Sequence, residues 1–198
     1  MSNRKWENLL VGKEEAKKTK VFSGGTCNIA TPNGMIRNTG RDLLNNVLNK
    51  MGTPFFDPQI HEDTHGREYV YDLDGPAEQL ARENAKVLIY EIAPYTLATV
   101  TMLEILQDAV SGKKVIVILT GDKNDFNAKG SQMMNFIGVT IAEIDDLKAR
   151  QALEQAIKTA NNARKTLVDM LKKYTNVTIL TMPNIDDLTT VLKTVVGK

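Results

Sequence analysis

An α/β fold built on a parallel sheet is predicted by three features of this 198-residue sequence. Two apolar, β-branched runs, Ala85-Lys-Val-Leu-Ile-Tyr-Glu-Ile92 and Lys113-Lys-Val-Ile-Val-Ile-Leu-Thr-Gly121, enclose a segment of helical length from Thr99 to Ala109. Strands apolar on both faces belong to a sheet that is covered on both sides, so the unit reads as β–α–β with parallel strands. The right-handed crossover then places the end of the first strand and the start of the helix on one rim, where open α/β sheets take ligands. Glu104 lies at that rim and is the first residue to question about chemistry.

Residues 1–18 are polar and Lys-rich and read as a terminal arm, with Trp6, Leu9, Leu10 and Val11 able to pin it to a neighbour. Lys20-Val-Phe-Ser-Gly-Gly25 is a short strand entering a glycine pair, followed by a polar loop from Thr26 to Gly34. Glycines after a first strand let backbone N–H groups approach a phosphate or sugar, or simply make a tight turn. The pattern is neither Gly-x-Gly-x-x-Gly nor Gly-Lys-Ser/Thr, which excludes the dinucleotide and P-loop readings.

Asn38 to Met51 has helical apolar spacing, and Thr53-Pro-Phe-Phe-Asp-Pro-Gln59 is a second short strand that carries Asp57 at its end. Asp57 would share the rim with Gly24 and Glu104, or cap a turn before Pro58. Asp72 to Asn84 reads as a helix with Pro76 at its first position and Glu78 in its first turn. Beyond the second central strand come a polar loop from Thr120 to Gly130 and an apolar cluster of Met133, Met134, Phe136, Ile137 and Val139. Asp145 to Tyr174 is one helical pattern, more than roughly 40 Å long if unbroken, so it either breaks or packs partly on another subunit. Asn176 to Met182 is a last strand and Asp186 to Val196 a closing helix. No linker or repeat divides the chain, so residues 1–198 read as one domain. The expected architecture is a flavodoxin-like, Rossmann-like three-layer sandwich of about five parallel strands with a helical C-terminal extension.

Lys and Arg number 25 against 24 Asp and Glu, which leaves no basic footprint for a nucleic acid polymer or an anionic membrane. No apolar run is long enough to span a bilayer, and no signal-peptide core is evident. A single cysteine, Cys27, rules out an intramolecular disulfide and points to the cytoplasm.

His61-Glu-Asp-Thr-His65 matches the His-Glu-x-x-His pattern of zinc peptidases, in which two imidazoles sit one helical turn apart with the Glu as base. Pro58 before it and Gly66 after it argue against a regular helix, so a solvated loop is the competing reading of His61, Glu62 and His65. Thr101-Met-Leu-Glu104 likewise has two readings. It fits a capping box that ties off the helix, or it presents a carboxylate nucleophile whose ionised form the helix start favours. A carboxylate suits attack on an anomeric carbon, with a second acid, Glu78 or Asp57, protonating the departing base. Phe22, Tyr90 and Tyr95 would offer stacking surface.

Lys20 to Gly121 resembles the nucleoside 2-deoxyribosyltransferase superfamily, especially its divergent branch. The likeness rests on Phe22-Ser-Gly-Gly-Thr26, Arg37 or Arg41, Phe56-Asp-Pro-Gln59, and the apolar strand followed by Thr101-Met-Leu-Glu104. It implies cleavage or transfer at an N-glycosidic bond of a nucleoside or nucleotide. Glu104 would be the nucleophile and Glu78 the base-side acid or orienter, with Phe22, Gly24, Gly25, Asp57 and Tyr90 around the substrate. It implies no metal or other cofactor, and a homo-oligomer in which a neighbour completes the pocket. The chain departs from the family at the helix start, which lacks the Gly-rich Glu-Leu-Gly, and at Ala98, where an acid is usual. That departure leaves a non-catalytic nucleotide-binding module as the alternative, ahead of zinc hydrolysis. A phospho-acceptor receiver ranks last, because Asp57 lacks the clustered partners that chemistry needs.

Overall fold

The computed structural model describes residues 4–31, 34–93, 96–120, 144–181 and 183–197. The chain opens with β1 (Leu9–Leu10) and α1 (Gly12–Ala16), then β2 (Val21–Gly25) and a hairpin of β3 (Asn28–Thr31) and β4 (Gly34–Arg37). A 3-10 turn at Thr39–Arg41 leads into α2 (Asp42–Lys50), β5 (Phe55–Phe56), α3 (Glu62–His65) and α4 (Tyr71–Asn84). The central unit follows as β6 (Val87–Ile92), α5 (Thr99–Val110) and β7 (Lys114–Leu119). The chain closes with α6 (Leu147–Leu171), β8 (Val177–Thr181) and α7 (Ile185–Val196).

Six parallel strands form one sheet in the order β1-β5-β2-β6-β7-β8, flanked by helices on both faces. Without the two-residue edge β1, this is the flavodoxin-like order, whose connections reverse direction between β2 and β6. The expected fold class is therefore the one found. Parity along β6 divides the core. Leu88, Tyr90 and Ile92 pack with Phe22, Val115 and Val117 against Ala77 and Ala81 of α4, Ile105 of α5 and Leu167 of α6. Val87 and Ile89 pack with Val21, Phe55, Ile116 and Ile118 against Leu44, Val47 and Leu48 of α2 and Leu188 and Leu192 of α7. Glu91 follows that second parity and lies at the end of β6, where a run of hydrophobes gives way to a carboxylate.

Three sequence expectations are corrected here, and one open alternative, whether the long helix breaks, is decided. The terminal arm is an integral edge of the sheet. Leu9 pairs with Phe55, and Trp6 is buried with its ring edge on the Phe55 ring and its indole N–H donating to Asn46 Oδ1 at 2.8 Å. The polar loop after β2 contains the β3–β4 hairpin, set apart from the main sheet. Helix α4 begins at Tyr71, five residues before Pro76, because the buried Asp74 carboxylate accepts the Val70 N–H at 2.7 Å and pairs with Arg67, which anchors the first turn. Glu78 thus lies in the body of the helix. Finally, α6 runs unbroken for 25 residues, with its buried side chains, from Ile157 to Leu171, all in its C-terminal portion. Tyr95 and the Met133 to Val139 cluster lie outside the described residues.

Candidate active site

The reversal between β2 and β6 opens a cleft of about 400 Å³, within the range of small-molecule sites. Its floor is Phe22, Gly24 and Gly25. One wall is the start of α5 from Ala98 to Glu104, and Glu78 of α4 closes the opposite side. Two lobes extend it. The first, about 330 Å³, runs past Cys27 and Pro58 to Gln59, His61 and Tyr69. The second, about 560 Å³, runs between α4 and α5 past Arg82, Gln107 and Lys113. Glu78 borders all three spaces, and Glu104 borders the cleft and the second lobe.

The floor is shaped by what the glycines lack. A Cβ on Gly24 would sit 2.6 Å from the Tyr90 ring and 2.8 Å from the Phe22 ring. On Gly25, whose φ is +133°, it would sit 2.4 Å from the Glu91 carbonyl oxygen. Both glycines let β2 lie against its neighbours and still leave space above, a packing reason that stands whether or not a ligand approaches. Phe22 is buried beneath the cleft, its ring parallel to that of Phe56 at 6.4 Å.

Glu104 does not tie off its helix. Helix α5 starts at Thr99 after Ala98, whose φ of 49° turns the chain in, and Thr101 is already inside the first turn. The capping-box reading therefore fails on position, and the Glu104 side chain, 23% exposed, is left facing the cleft. Among the described residues its one short-range charge contact is Arg82 Nη1, 3.5 Å from Oε1. Burial raises its pKa, and Arg82 offsets part of that rise. Across the cleft, burial followed by repulsion from Glu104 pushes the Glu78 carboxyl up to about 7. Two carboxyls thus face one space from adjacent helices, and near neutral pH one of them keeps its proton about half the time.

The remaining expected site residues separate into cleft and scaffold. Phe22, Gly24, Gly25, Glu78 and Glu104 meet at the cleft. Asp57 does not line it. Asp57 is buried at the end of the β5 segment, where it accepts from Asn45 Nδ2 at 2.6 Å and the Gln59 N–H at 2.9 Å and pairs with Arg41 at 3.1 Å. Tyr90 is wholly buried, its hydroxyl donating to Asp108 at 2.6 Å, so it supports the floor and offers no stacking face. Burial, and then that hydrogen bond, hold its phenol far above the ordinary range.

His61 and His65 are not a helical ligand pair. His61 precedes the four-residue α3 in extended conformation, and the buried His65 shares a 2.7 Å hydrogen bond between Nδ1 and the Thr64 hydroxyl. Among the described residues no group of three His, Cys, Asp or Glu side chains is arranged to hold a metal ion.

Sequence reasoning passed over several residues. The buried Glu91 carboxylate accepts from Asn38 Nδ2 at 2.9 Å and from the Thr120 hydroxyl, joining the ends of β6 and β7 to the segment before α2. Its signal was an acid inside an otherwise apolar run. Arg41, named above only as one of two family-like arginines, is fully buried and donates to the Ser23 carbonyl at 2.8 Å. Gln59 donates through Nε2 to the Cys27 carbonyl, and its buried Oε1 has no partner among the described residues, leaving an acceptor beside the first lobe. Among the described residues no helix is long and apolar enough to cross a membrane. Compared with known proteins, the chain matches no protein-family model and no curated sequence.

Proposed function

We propose that the protein cleaves, or transfers the sugar across, the N-glycosidic bond of a nucleoside or nucleotide through a glycosyl-enzyme on Glu104. The observation that carries this reading is the pair Glu78 and Glu104, two carboxyls facing one cleft, with the Glu78 pKa raised to about 7. Retaining glycosyl transfer needs an ionised nucleophile and a proton donor of that kind. Glu104 attacks the anomeric carbon, and the bond to the base nitrogen breaks with its electron pair leaving on the base. Glu78 gives that nitrogen its proton. Water, or the nitrogen of a second base, then attacks the same carbon, Glu78 takes the incoming proton, and Glu104 is released. The sugar would lie over Gly24 and Gly25 and the base in the lobe toward Gln59 and Tyr69.

The wider setting belongs to the same proposal. A small-molecule substrate in a reducing cytoplasm agrees with the near-neutral charge balance and the single cysteine. Self-association is supported by the N-terminal part of α6, where no residue from Leu147 to Ala156 is buried, and by Val100, Leu103 and Val110 of α5, each more than 60% exposed. Sedimentation velocity tests it directly, since a monomer at micromolar concentration refutes it.

A second reading, a binding module without turnover, is favoured by Ala98, which gives this wall of the cleft no third acid. Incubation with deoxynucleosides, ribonucleosides and their monophosphates, followed by chromatography for free base, separates the two. The enzyme reading expects base release that Glu104→Ala abolishes. In trapping experiments with a 2-fluoro nucleoside it also expects a pentose-sized mass addition on the Glu104 peptide. Binding without release, unchanged in Glu104→Ala, establishes the module.

A further inference from the structure

We propose that Arg82 is a positioning residue that decides which cleft carboxyl is ionised, holding Glu104 as the carboxylate and leaving Glu78 to carry the proton. The inference rests on the assignment of Glu104 as nucleophile. It starts from spacing. Glu78 and Arg82 are four residues apart on α4, and Glu104 and Asp108 are four apart on α5, so each pair shares a helix face. The two faces meet across the lobe that both helices line.

Arg82 is fixed from one side. Its Nε donates to Asp108 Oδ2 at 2.9 Å, and its Nη2 donates to Gln107 Oε1 at 3.1 Å and to the Glu104 carbonyl at 3.2 Å. Asp108 is itself held by the Tyr90 hydroxyl at 2.6 Å and by Lys113 Nζ at 3.5 Å. These contacts use the Nε and Nη2 side of the guanidinium and turn Nη1 toward Glu104 Oε1, at 3.5 Å. A fork fixed in this way places charge beside Glu104 without closing a tight bidentate pair over it, so the carboxylate stays free to attack. Among the described residues no hydrogen bond or ion pair reaches the Glu78 carboxyl.

The other charges near the two acids do not reproduce this bias. Glu104 feels Asp108 on its own helix and Arg41 from the segment before α2. Glu78 feels Arg41 and Arg82 as cations and Glu104 and Asp57 as anions, with Tyr69 and Cys27 on the side of the first lobe. Arg41 acts on both carboxyls and is committed to Asp57 and the Ser23 carbonyl. Arg82 alone among these cations touches one carboxyl and not the other.

Titration of the protein with ¹³C at the glutamate δ-carbons, the two resonances being assigned through Glu78→Gln and Glu104→Gln, tests this without substrate. In the unmodified chain Glu104 is expected to ionise at least about one pH unit below Glu78, a tenfold difference in ionised fraction at intermediate pH. In Arg82→Gln the Glu104 midpoint is expected to rise by about one unit, and the acid limb of base release to rise with it. Arg82→Lys is expected to return the midpoint toward its original value but not the rate, because an ammonium cannot span Asp108, Gln107 and Glu104 together. An unmoved Glu104 midpoint in Arg82→Gln overturns the proposal. So does earlier ionisation of Glu78 in the unmodified chain, a measurement that stands even if Arg82→Gln fails to fold. Base release that survives in Glu104→Gln overturns the nucleophile assignment instead, and leaves the titration result intact.

Discussion

Replacing Glu78 by Gln is expected to make the protein more stable at alkaline pH and nearly inactive. A carboxyl whose pKa rises from 4.5 to about 7 on folding carries a proton in the native state that the unfolded chain has already lost. Between those two values the native state binds more protons, so stability falls as pH rises, and the loss is complete above pH 7. At about 1.4 kcal/mol per pH unit the ceiling is about 3 kcal/mol. Glu78 is partly open to the cleft, and solvent screening reduces this to about 1–2 kcal/mol. Gln has nearly the same shape and no charge. Urea unfolding followed by circular dichroism should therefore show Glu78→Gln and the parent equal near pH 4 and the variant more stable by about 1–2 kcal/mol at pH 8. Loss of the proton donor should meanwhile lower kcat for base release by roughly 10²–10⁴-fold. Such a trade of activity for stability marks a group placed for chemistry. A stability difference that does not change with pH would refute the assignment of a strained, proton-holding carboxyl.

Other substitutions separate scaffold from site. Asp57→Ala leaves the fully buried Arg41 without its carboxylate and should cost about 3–5 kcal/mol in chemical denaturation, with KM in the folded fraction little changed. Gly25→Ala places a Cβ 2.4 Å from the Glu91 carbonyl oxygen at a φ of +133°, so a loss of more than about 3 kcal/mol and a lowered Tm are expected. Trp6→Ala removes a buried ring from the β1 edge and should cost about 3–5 kcal/mol, whereas a loosely attached arm would show almost no change in the urea midpoint.

The parts of the fold that rest on periodicity were legible in the chain. The runs of β6 and β7 are apolar on both faces, and the spacing of α5 and α6 is helical, which is enough to place a covered parallel sheet and its rim. What escaped was set by long-range partners. Leu9 and Leu10 make a strand only because Phe55 and Phe56 lie beside them, and two residues carry no period of their own. The early start of α4 depends on Asp74 reaching the Val70 N–H and Arg67, a local contact that outweighs the usual preference for Pro at a first position.

The site divides along the same line. Rim position was enough to bring Glu104 forward, because a chain that reverses its connections between two strands leaves their C-terminal ends open whatever the side chains are, whereas Glu78 came forward only as a candidate second acid and through the family resemblance. Asp57 satisfies the same positional criterion and still serves the scaffold, since Arg41, Asn45 and the Gln59 N–H take up its oxygens. The difference lies in how many donors reach each carboxyl. Asp57 is saturated and cannot accept a substrate without breaking buried contacts. Among the described residues Glu104 has a single polar contact to its carboxylate, at 3.5 Å, and none reaches the Glu78 carboxyl. Burial without satisfaction costs stability, in keeping with the raised Glu78 pKa, and it leaves two carboxyls facing one open cleft, which is the arrangement the proposed chemistry uses. Count of donors, which only the folded chain reveals, is therefore what separates the two carboxyls proposed for chemistry from the structural Asp57 at the same rim.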